Sequence, residues 1–186
     1  MISDRQLIEG YNSGHQEALE LLINRYKDDL YRLCCHLSLE RQDAEDLFQE
    51  VWVRILRKLE KYDPERPFKA WLFQVAINLY RDRYRKWKNL RERLTIAWTY
   101  EHSGYTEIRD TALLTEEYLL QKEQFLYLEE CLRSLPKRYL APLILYYYEE
   151  FSYESIGEIL DVPLGTVKSR LNQGKKLLKA TMKELK

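Results

Sequence analysis

The chain reads as all-α, built as two small helical domains joined by a linker, with a helix-turn-helix in the C-terminal one. Three observations predict this. Apolar residues recur at helical spacing through most of the 186 residues, and no stretch alternates as a strand would. Only 6 glycines and 5 prolines are present, so few positions can break a helix. Residues 89–115 carry no sustained period and include the break His102-Ser103-Gly104. A stretch of that length is unusual inside one compact domain and places the division there. The expected boundaries are 1–90 for the first domain, 91–114 for the linker and 115–186 for the second.

The elements follow in order. A short helix over residues 4–11 ends at Asn12, Ser13 and Gly14. A long helix over 15–37 places Ala18, Leu22, Tyr26, Leu30, Leu33 and Leu37 on one stripe, and 38–41 turn the chain. The next helix, 43–59, has two adjacent apolar faces. Ala44, Leu47, Val51 and Ile55 form one, and Phe48, Trp52, Leu56 and Leu59 the other. A helix apolar over most of its girth is either buried among several helices or covered by a partner. Its acidic start (Asp43, Glu45, Asp46) is favourable at a helix N-terminus.

The loop 62–67 contains two prolines, and a helix over 68–88 follows it. This helix mixes aromatics with arginines. Trp71, Leu72, Val75, Ala76 and Leu79 form an apolar face, and Gln74, Asn78, Arg81, Asp82 and Arg85 a polar one. Asn and Asp can hydrogen-bond base edges. Aromatic rings offer platforms for unpaired bases, worth about 1–3 kcal/mol each, so the mixture suits single-stranded DNA. A salt-bridged helix with aromatic core residues explains the pattern equally well. Beyond the linker, helices are expected over 115–134 and 136–148, with Tyr146, Tyr147, Tyr148, Phe151 and Tyr153 packing beneath the elements that follow.

The last quarter is the most informative. Ser152 is an N-cap for a helix carrying Ile156, Ile159 and Leu160 on one face. Asp161 and Val162 make a turn, and Pro163 fits a first helical position, which needs no N–H donor. The final helix divides cleanly. Leu164, Val167, Leu171, Gly174 and Leu178 form an inward stripe, while Lys168, Ser169, Asn172, Gln173 and Lys176 lie opposite. Gly174 interrupts a helix interior at a cost of about 1 kcal/mol and implies close approach of another element. A basic polar face can be simply solvated. The preceding helix and short turn make it instead a recognition helix, with amide and hydroxyl groups for base edges and cations for phosphates.

Net charge is zero, but the charges are segregated. Residues 76–93 hold seven cations against two acids, and 164–186 hold seven against one. Residues 94–163 hold thirteen acids against five bases. Two basic segments on a neutral chain imply two contacts with a polyanion, and weak DNA binding by the chain alone. Three cysteines (Cys34, Cys35, Cys131) fit a reducing compartment. Adjacent Cys34 and Cys35 diverge by about 100° on a helix and make a poor metal pair. The three histidines are scattered and no phosphate-binding glycine loop exists, so neither an enzyme nor a metal or cofactor is expected. No apolar run reaches membrane-span length and no signal segment stands at the start, so a cytoplasmic protein without membrane insertion is expected.

The order D-A-E-D-L-F-Q-E-V, then F-K-A-W-L-F-Q-V-A-I-N-L-Y-R-D-R-Y-R, then S-L-P-K-R-Y, then Y-E-S-I-G-E-I-L-D-V-P-L-G-T-V-K-S-R-L resembles the extracytoplasmic-function (ECF) class of bacterial sigma factors. The match spans nearly all of the chain except the linker. The resemblance implies a protein that binds core RNA polymerase, at its clamp and flap, and directs promoter recognition and transcription initiation. It implies that the 43–59 helix docks on the clamp through Asp46, Gln49, Glu50 and Arg54. It implies that Asn78, Arg81, Asp82, Arg85 and Trp71 meet the minus-10 element, with the loop 61–67 holding a flipped base. Lys168, Ser169, Asn172, Gln173 and Lys176 would enter the minus-35 major groove. The partners implied are core polymerase, promoter DNA both duplex and single-stranded, and an anti-sigma factor. Family members often carry arginine-rich sequence after S-R-L. Asn172, Gln173 and Gly174 stand there in this chain, so its minus-35 preference is not transferable from relatives. Two alternatives are a conventional helix-turn-helix regulator and a sigma mimic acting only through protein contacts.

Overall fold

A computed structural model describes residues 2–38, 40–94, 127–128, 130–132 and 134–184. Its helices are α1 (Asp4–Asn12), α2 (Gln16–Leu37), α3 (Arg41–Leu56), α4 (Phe68–Leu94), α5 (Lys137–Tyr147), α6 (Tyr153–Leu160) and α7 (Leu164–Glu184). A 3-10 turn, Leu59–Lys61, joins α3 to the loop before α4. Helical residues also occur at 127–128, 130–132 and 134, within the stretch expected to be helical, whose earlier part lies outside the described residues.

The N-terminal domain is a bundle of α1 to α4. Ser3 caps α1 in a capping box, its hydroxyl accepting the Gln6 N–H while Gln6 reaches back to the Ser3 N–H. Asp4 ties α1 to α2, accepting from Arg25 and, at 2.5 Å, from the Tyr26 hydroxyl. Burial and this bond raise the Tyr26 phenol above its usual range. Leu22, Leu30, Leu33 and Leu37 of α2 are buried against Leu47, Val51 and Ile55 of α3 and Leu72, Phe73, Ala76 and Ile77 of α4. Both apolar faces of α3 are at least partly buried by the protein itself, since Trp52 and Leu59 are also in the core.

Two helix ends differ from the sequence expectation by more than two residues. Helix α3 stops at Leu56 rather than running to residue 59. The Lys58 N–H turns to the Ile55 carbonyl at 2.9 Å, tightening the chain so that Leu59 reaches the core at 1% exposure. Helix α4 continues to Leu94, six residues past the end expected at 88 and into the segment assigned to the linker. Residues 89–94 contain neither glycine nor proline, so nothing stops the helix where its apolar period fades.

The C-terminal domain packs α5 against α6 and α7. Tyr127 adds a tie, its hydroxyl donating to the Met182 carbonyl at 2.5 Å. Gly174 is buried, as its position in the stripe implied. A Cβ there would stand 3.0 Å from Leu143 Cδ1 and 3.3 Å from Tyr139 Cβ, so the glycine lets α7 lie close on α5. The tyrosine cluster is split. Tyr146 packs on Tyr153 (ring centroids 5.1 Å apart), but Tyr147 is exposed. Tyr148 meets His36 and Phe151 meets Phe73, both in the N-terminal domain, which corrects the expectation that all five aromatics underlie the helix-turn-helix. The two domains therefore touch, with α6 along α4 and α5 against α2.

Candidate nucleic-acid interface

Helices α6 and α7 form the expected helix-turn-helix. The Ser152 hydroxyl accepts the Ser155 N–H at 3.1 Å and caps α6. Asp161 adopts the left-handed conformation (φ 53°, ψ 56°), and the Val162 N–H returns to the Gly157 carbonyl at 3.0 Å, closing the helix end. Gly157 is required by this turn, because a Cβ would meet the Val162 carbonyl oxygen at 3.0 Å. Pro163 stands one residue before α7, its carbonyl accepting the N–H groups of Thr166 and Val167. The inward stripe holds at Val167, Leu171, Gly174 and the half-buried Leu178, whereas Leu164 is exposed. The first turn of α7 overhangs the turn, and its leading side chain finds no core beneath it.

Lys168, Ser169, Asn172, Gln173 and Lys176 are all exposed on the outer side of α7. The Ser169 hydroxyl donates to the Thr166 carbonyl at 3.0 Å, which leaves its oxygen able to accept from a base or water. The structure brings these five residues onto one continuous surface, with two amides between cations.

Helix α4 presents a second polar face. Asn78, Asp82 and Arg85 are exposed together, and Arg85 pairs with Asp82 at 3.0 Å. Trp71 lies toward the start of the same helix and is half-buried. Its ring packs on Tyr62 (4.9 Å) and Phe68 (5.7 Å). Tyr62 belongs to the loop before α4 and donates to the Arg66 carbonyl, so the aromatic cluster fixes this loop against the helix start. Arg81 does not join Asn78, Asp82 and Arg85. It turns to the C-terminal domain and donates to the Leu160 carbonyl at 3.4 Å, at the C-terminal end of α6. Burial lowers its pKa below the usual arginine range, the Arg170 charge lowers it further, and Asp161 opposes both. Next to it Gln74 donates to the Glu158 carbonyl at 3.1 Å.

On α3, Asp46, Gln49 and Arg54 are exposed. Glu50 is half-buried and already engaged, accepting from Arg83 of α4 through Nε at 2.9 Å and Nη2 at 2.6 Å. Sequence reasoning missed Val53, which is 46% exposed between these polar residues. Its signal was legible, since Val53 falls on neither apolar stripe of the helix. Among the described residues, no group of His, Cys, Asp and Glu is placed to hold a metal ion. No described helix is long and apolar enough to cross a membrane.

Comparison with known proteins gives consistent matches. The Sigma-70 region 2 family matches residues 22–104, and the Sigma-70, region 4 family matches residues 125–178. The ECF RNA polymerase sigma factor SigW of Bacillus subtilis is 31% identical over 182 residues, covering 97% of both chains. The ECF RNA polymerase sigma-E factor of Haemophilus influenzae is 27% identical over 187 residues, covering 99% of this chain and 97% of that one. In fold, the chain is similar to the sigma factor RpoE of Bartonella quintana, solved with the anti-sigma factor NepR (TM-score 0.69, 22% identity, 89% of this chain and 96% of that one). It is equally similar to CnrH in complex with the cytosolic domain of CnrY (TM-score 0.69, 22% identity, 97% of each). With both sigma-70 regions matched in order and a relative 31% identical along nearly its whole length, the chain belongs to the ECF family of RNA polymerase sigma factors.

Proposed function

We propose that this protein binds core RNA polymerase and supplies its promoter specificity, acting in the cytoplasm where that polymerase works. The observation that carries the reading is the outer face of α7, where Lys168, Ser169, Asn172, Gln173 and Lys176 are exposed together behind a buried stripe. Lys168 and Lys176 would hold phosphates and fix register. Ser169, Asn172 and Gln173 would meet base edges in the minus-35 major groove. On α4, Asn78, Asp82 and Arg85, with Trp71 at the head of the helix, would capture the non-template strand of the minus-10 element. Melting is then driven by preferential binding to the open strand, and the polymerase performs the chemistry. Asp46, Gln49, Glu50 and Arg54, with Val53 among them, form the surface offered to the clamp, and the C-terminal domain sits on the flap. The fold likeness to the sigma factor RpoE, solved with the anti-sigma factor NepR, supports an anti-sigma factor as a further partner.

The test is transcription from a library of randomised promoters by core polymerase with and without the chain. Start sites that share two spaced elements, and appear only with the chain, are the expected result. Core binding without transcripts would favour a mimic. Duplex binding by the chain alone, without core binding, would favour a conventional regulator.

A further inference from the structure

We propose that the chain carries an internal ionic latch, in which Glu149 of the C-terminal domain locks onto Lys69 and Arg32 of the N-terminal domain and holds the protein in a closed form that cannot engage both promoter elements. The inference rests on the promoter-binding roles given to α4 and α7 above.

Glu149 lies in the tight turn between α5 and α6. The turn is built by the C-terminal domain alone, with the Glu149 N–H on the Ile144 carbonyl (3.2 Å) and the Phe151 N–H on the Leu145 carbonyl (3.0 Å). Among the described residues, every ionic partner of Glu149 comes from the other domain. Its side chain is 1% exposed, with Lys69 Nζ at 3.0 Å from Oε2 and Arg32 Nε at 3.7 Å from Oε1. Asp29 completes the cluster, 2.8 Å from Lys69 Nζ and paired with Arg32. The Lys69 ammonium also lies over the rings of Phe73 (5.3 Å) and Phe151 (5.7 Å), which meet edge-on across the same interface.

The chemistry of this contact favours reversibility. Burying a carboxylate is costly, and the offset is incomplete: Lys69 meets Oε2 closely, while Oε1 has no hydrogen-bond partner and only the 3.7 Å charge contact with Arg32. On opening, only Glu149 leaves the cluster, because Asp29, Arg32 and Lys69 share a domain and keep their pairs with one another. The same interface carries apolar contact, Phe151 on Phe73 and Tyr148 on His36, so opening also works against the hydrophobic effect, and the ionic cluster sets the balance between the two forms.

The closed form also blocks the proposed activity by distance. Arg81 and Gln74 are spent on carbonyls of α6, so α4 is held within one hydrogen bond of Leu160, four residues before α7 begins. Elements centred near minus-10 and minus-35 are about 25 base pairs apart, roughly 85 Å of duplex at about 3.4 Å per pair. Helices in contact cannot serve sites that far apart. The 32 residues from 95 to 126 could reach about 105 Å if extended, so the sequence has the length to let the domains part.

The test combines small-angle scattering of the full chain with binding to a forked promoter probe. The variants are Glu149→Gln, Glu149→Lys and the charge swap Lys69→Glu/Glu149→Lys, each checked for its helical melting transition. Wild type is expected near the radius of a compact chain of this length, about 16 Å. Glu149→Lys should expand to above about 20 Å. Glu149→Gln should lie between, and the swap should return only part of the way, because it sets a carboxylate beside Asp29 and an ammonium beside Arg32. If about 90% of the wild-type chain is closed, opening strengthens probe binding about tenfold. A Glu149→Lys or Glu149→Gln chain that melts normally yet stays as compact as wild type would overturn the latch. So would expansion with no gain in probe binding. Failure of the sigma reading shows separately, as wild type that gives no transcripts with core polymerase while the scattering shifts persist.

Discussion

Arg83 of α4 clasps Glu50 of α3, with Nε and Nη2 both on one carboxylate oxygen at 2.9 and 2.6 Å, and Nη2 also reaches the Asp46 carbonyl at 3.1 Å. The pair joins the helix proposed to face the polymerase to the helix proposed to face the minus-10 strand. Arg83 and Glu50 are 37% and 41% exposed, so water screens the attraction and the pair contributes about 0.2–1 kcal/mol at most. Arg83→Ala is therefore expected to change the melting temperature by only a few degrees. It should weaken core binding more than stability, because Glu50, part of the surface proposed to face the polymerase, loses its fixed geometry. Thermal melts beside a core-binding titration separate the two effects. A large loss of stability with unchanged core affinity would show the pair to be purely structural.

The glycines of the second domain provide a graded test of packing. A methyl group added at Gly165 would have nothing within 4 Å, so Gly165→Ala should stabilise by up to about 1 kcal/mol through helix propensity. At Gly174 the same gain competes with crowding against Leu143 and Tyr139, where overpacking costs about 1–3 kcal/mol, so Gly174→Ala should be destabilising on balance. Gly157→Ala should be worst, because its neighbour is the Val162 carbonyl, a backbone atom that cannot rotate aside. Denaturant melts of the three variants should rank in that order. Gly157→Ala as stable as wild type would contradict the tight turn.

Cysteine reactivity follows from burial. Burial pushes the Cys34 thiol up to about 12, with the neighbouring Cys35 adding to the shift. Burial raises Cys131 as well. Both side chains are inaccessible, whereas Cys35 is half-buried. Alkylation of the native chain at pH 8 should label Cys35 first, with Cys34 and Cys131 reacting only on unfolding. The same shift has a stability consequence. A thiol whose folded pKa is raised contributes stability that is complete below about pH 8.5 and declines as pH rises from there toward 12. Equal labelling of Cys34 and Cys35 in the native state, read by mass spectrometry, would contradict the α2 packing.

At the domain interface the sign is opposite for Asp29. Its burial favours the neutral acid, but the hydrogen bond and charge of Lys69, with Arg32, outweigh that and hold the carboxyl below its usual range. A lowered carboxyl contributes stability above the ordinary value near 3.9 and loses it as pH falls below. Asp29→Asn should therefore flatten the acid limb of the stability profile below about pH 4 and leave the neutral region less affected. An unchanged acid limb would mean that Asp29 is not held by Lys69 in solution.

Much of the C-terminal site was legible from residue pattern. The spacing of Val167, Leu171 and Gly174 marks the buried side of α7, and the five polar residues opposite are exposed as that spacing requires. Gly174 announced a close neighbour because a glycine inside a good helix is otherwise only a cost. What the pattern could not show was which surface meets which. A 3.6-residue period marks a buried face without naming its cover, so it puts Phe151 and Tyr148 under their own domain although they pack on Phe73 and His36. Glu149 looks like any loop carboxylate, and its partners Lys69 and Arg32 lie far away in sequence with no local sign of pairing. Arg81 belongs to the polar face of α4 by helical angle, yet its long side chain reaches sideways to a carbonyl that only the tertiary fold supplies.

The most direct test of the account is promoter selection from a randomised library by core polymerase carrying wild-type chain, Asn172→Ala or Lys176→Ala. The expected result is that Asn172→Ala relaxes preference at one minus-35 position, by about 1–3 kcal/mol. Lys176→Ala should weaken all promoters alike and reduce the salt dependence. If the Asn172→Ala profile matched that of Lys176→Ala, with every position equally affected, the outer face of α7 would not be reading sequence and the central claim would fail.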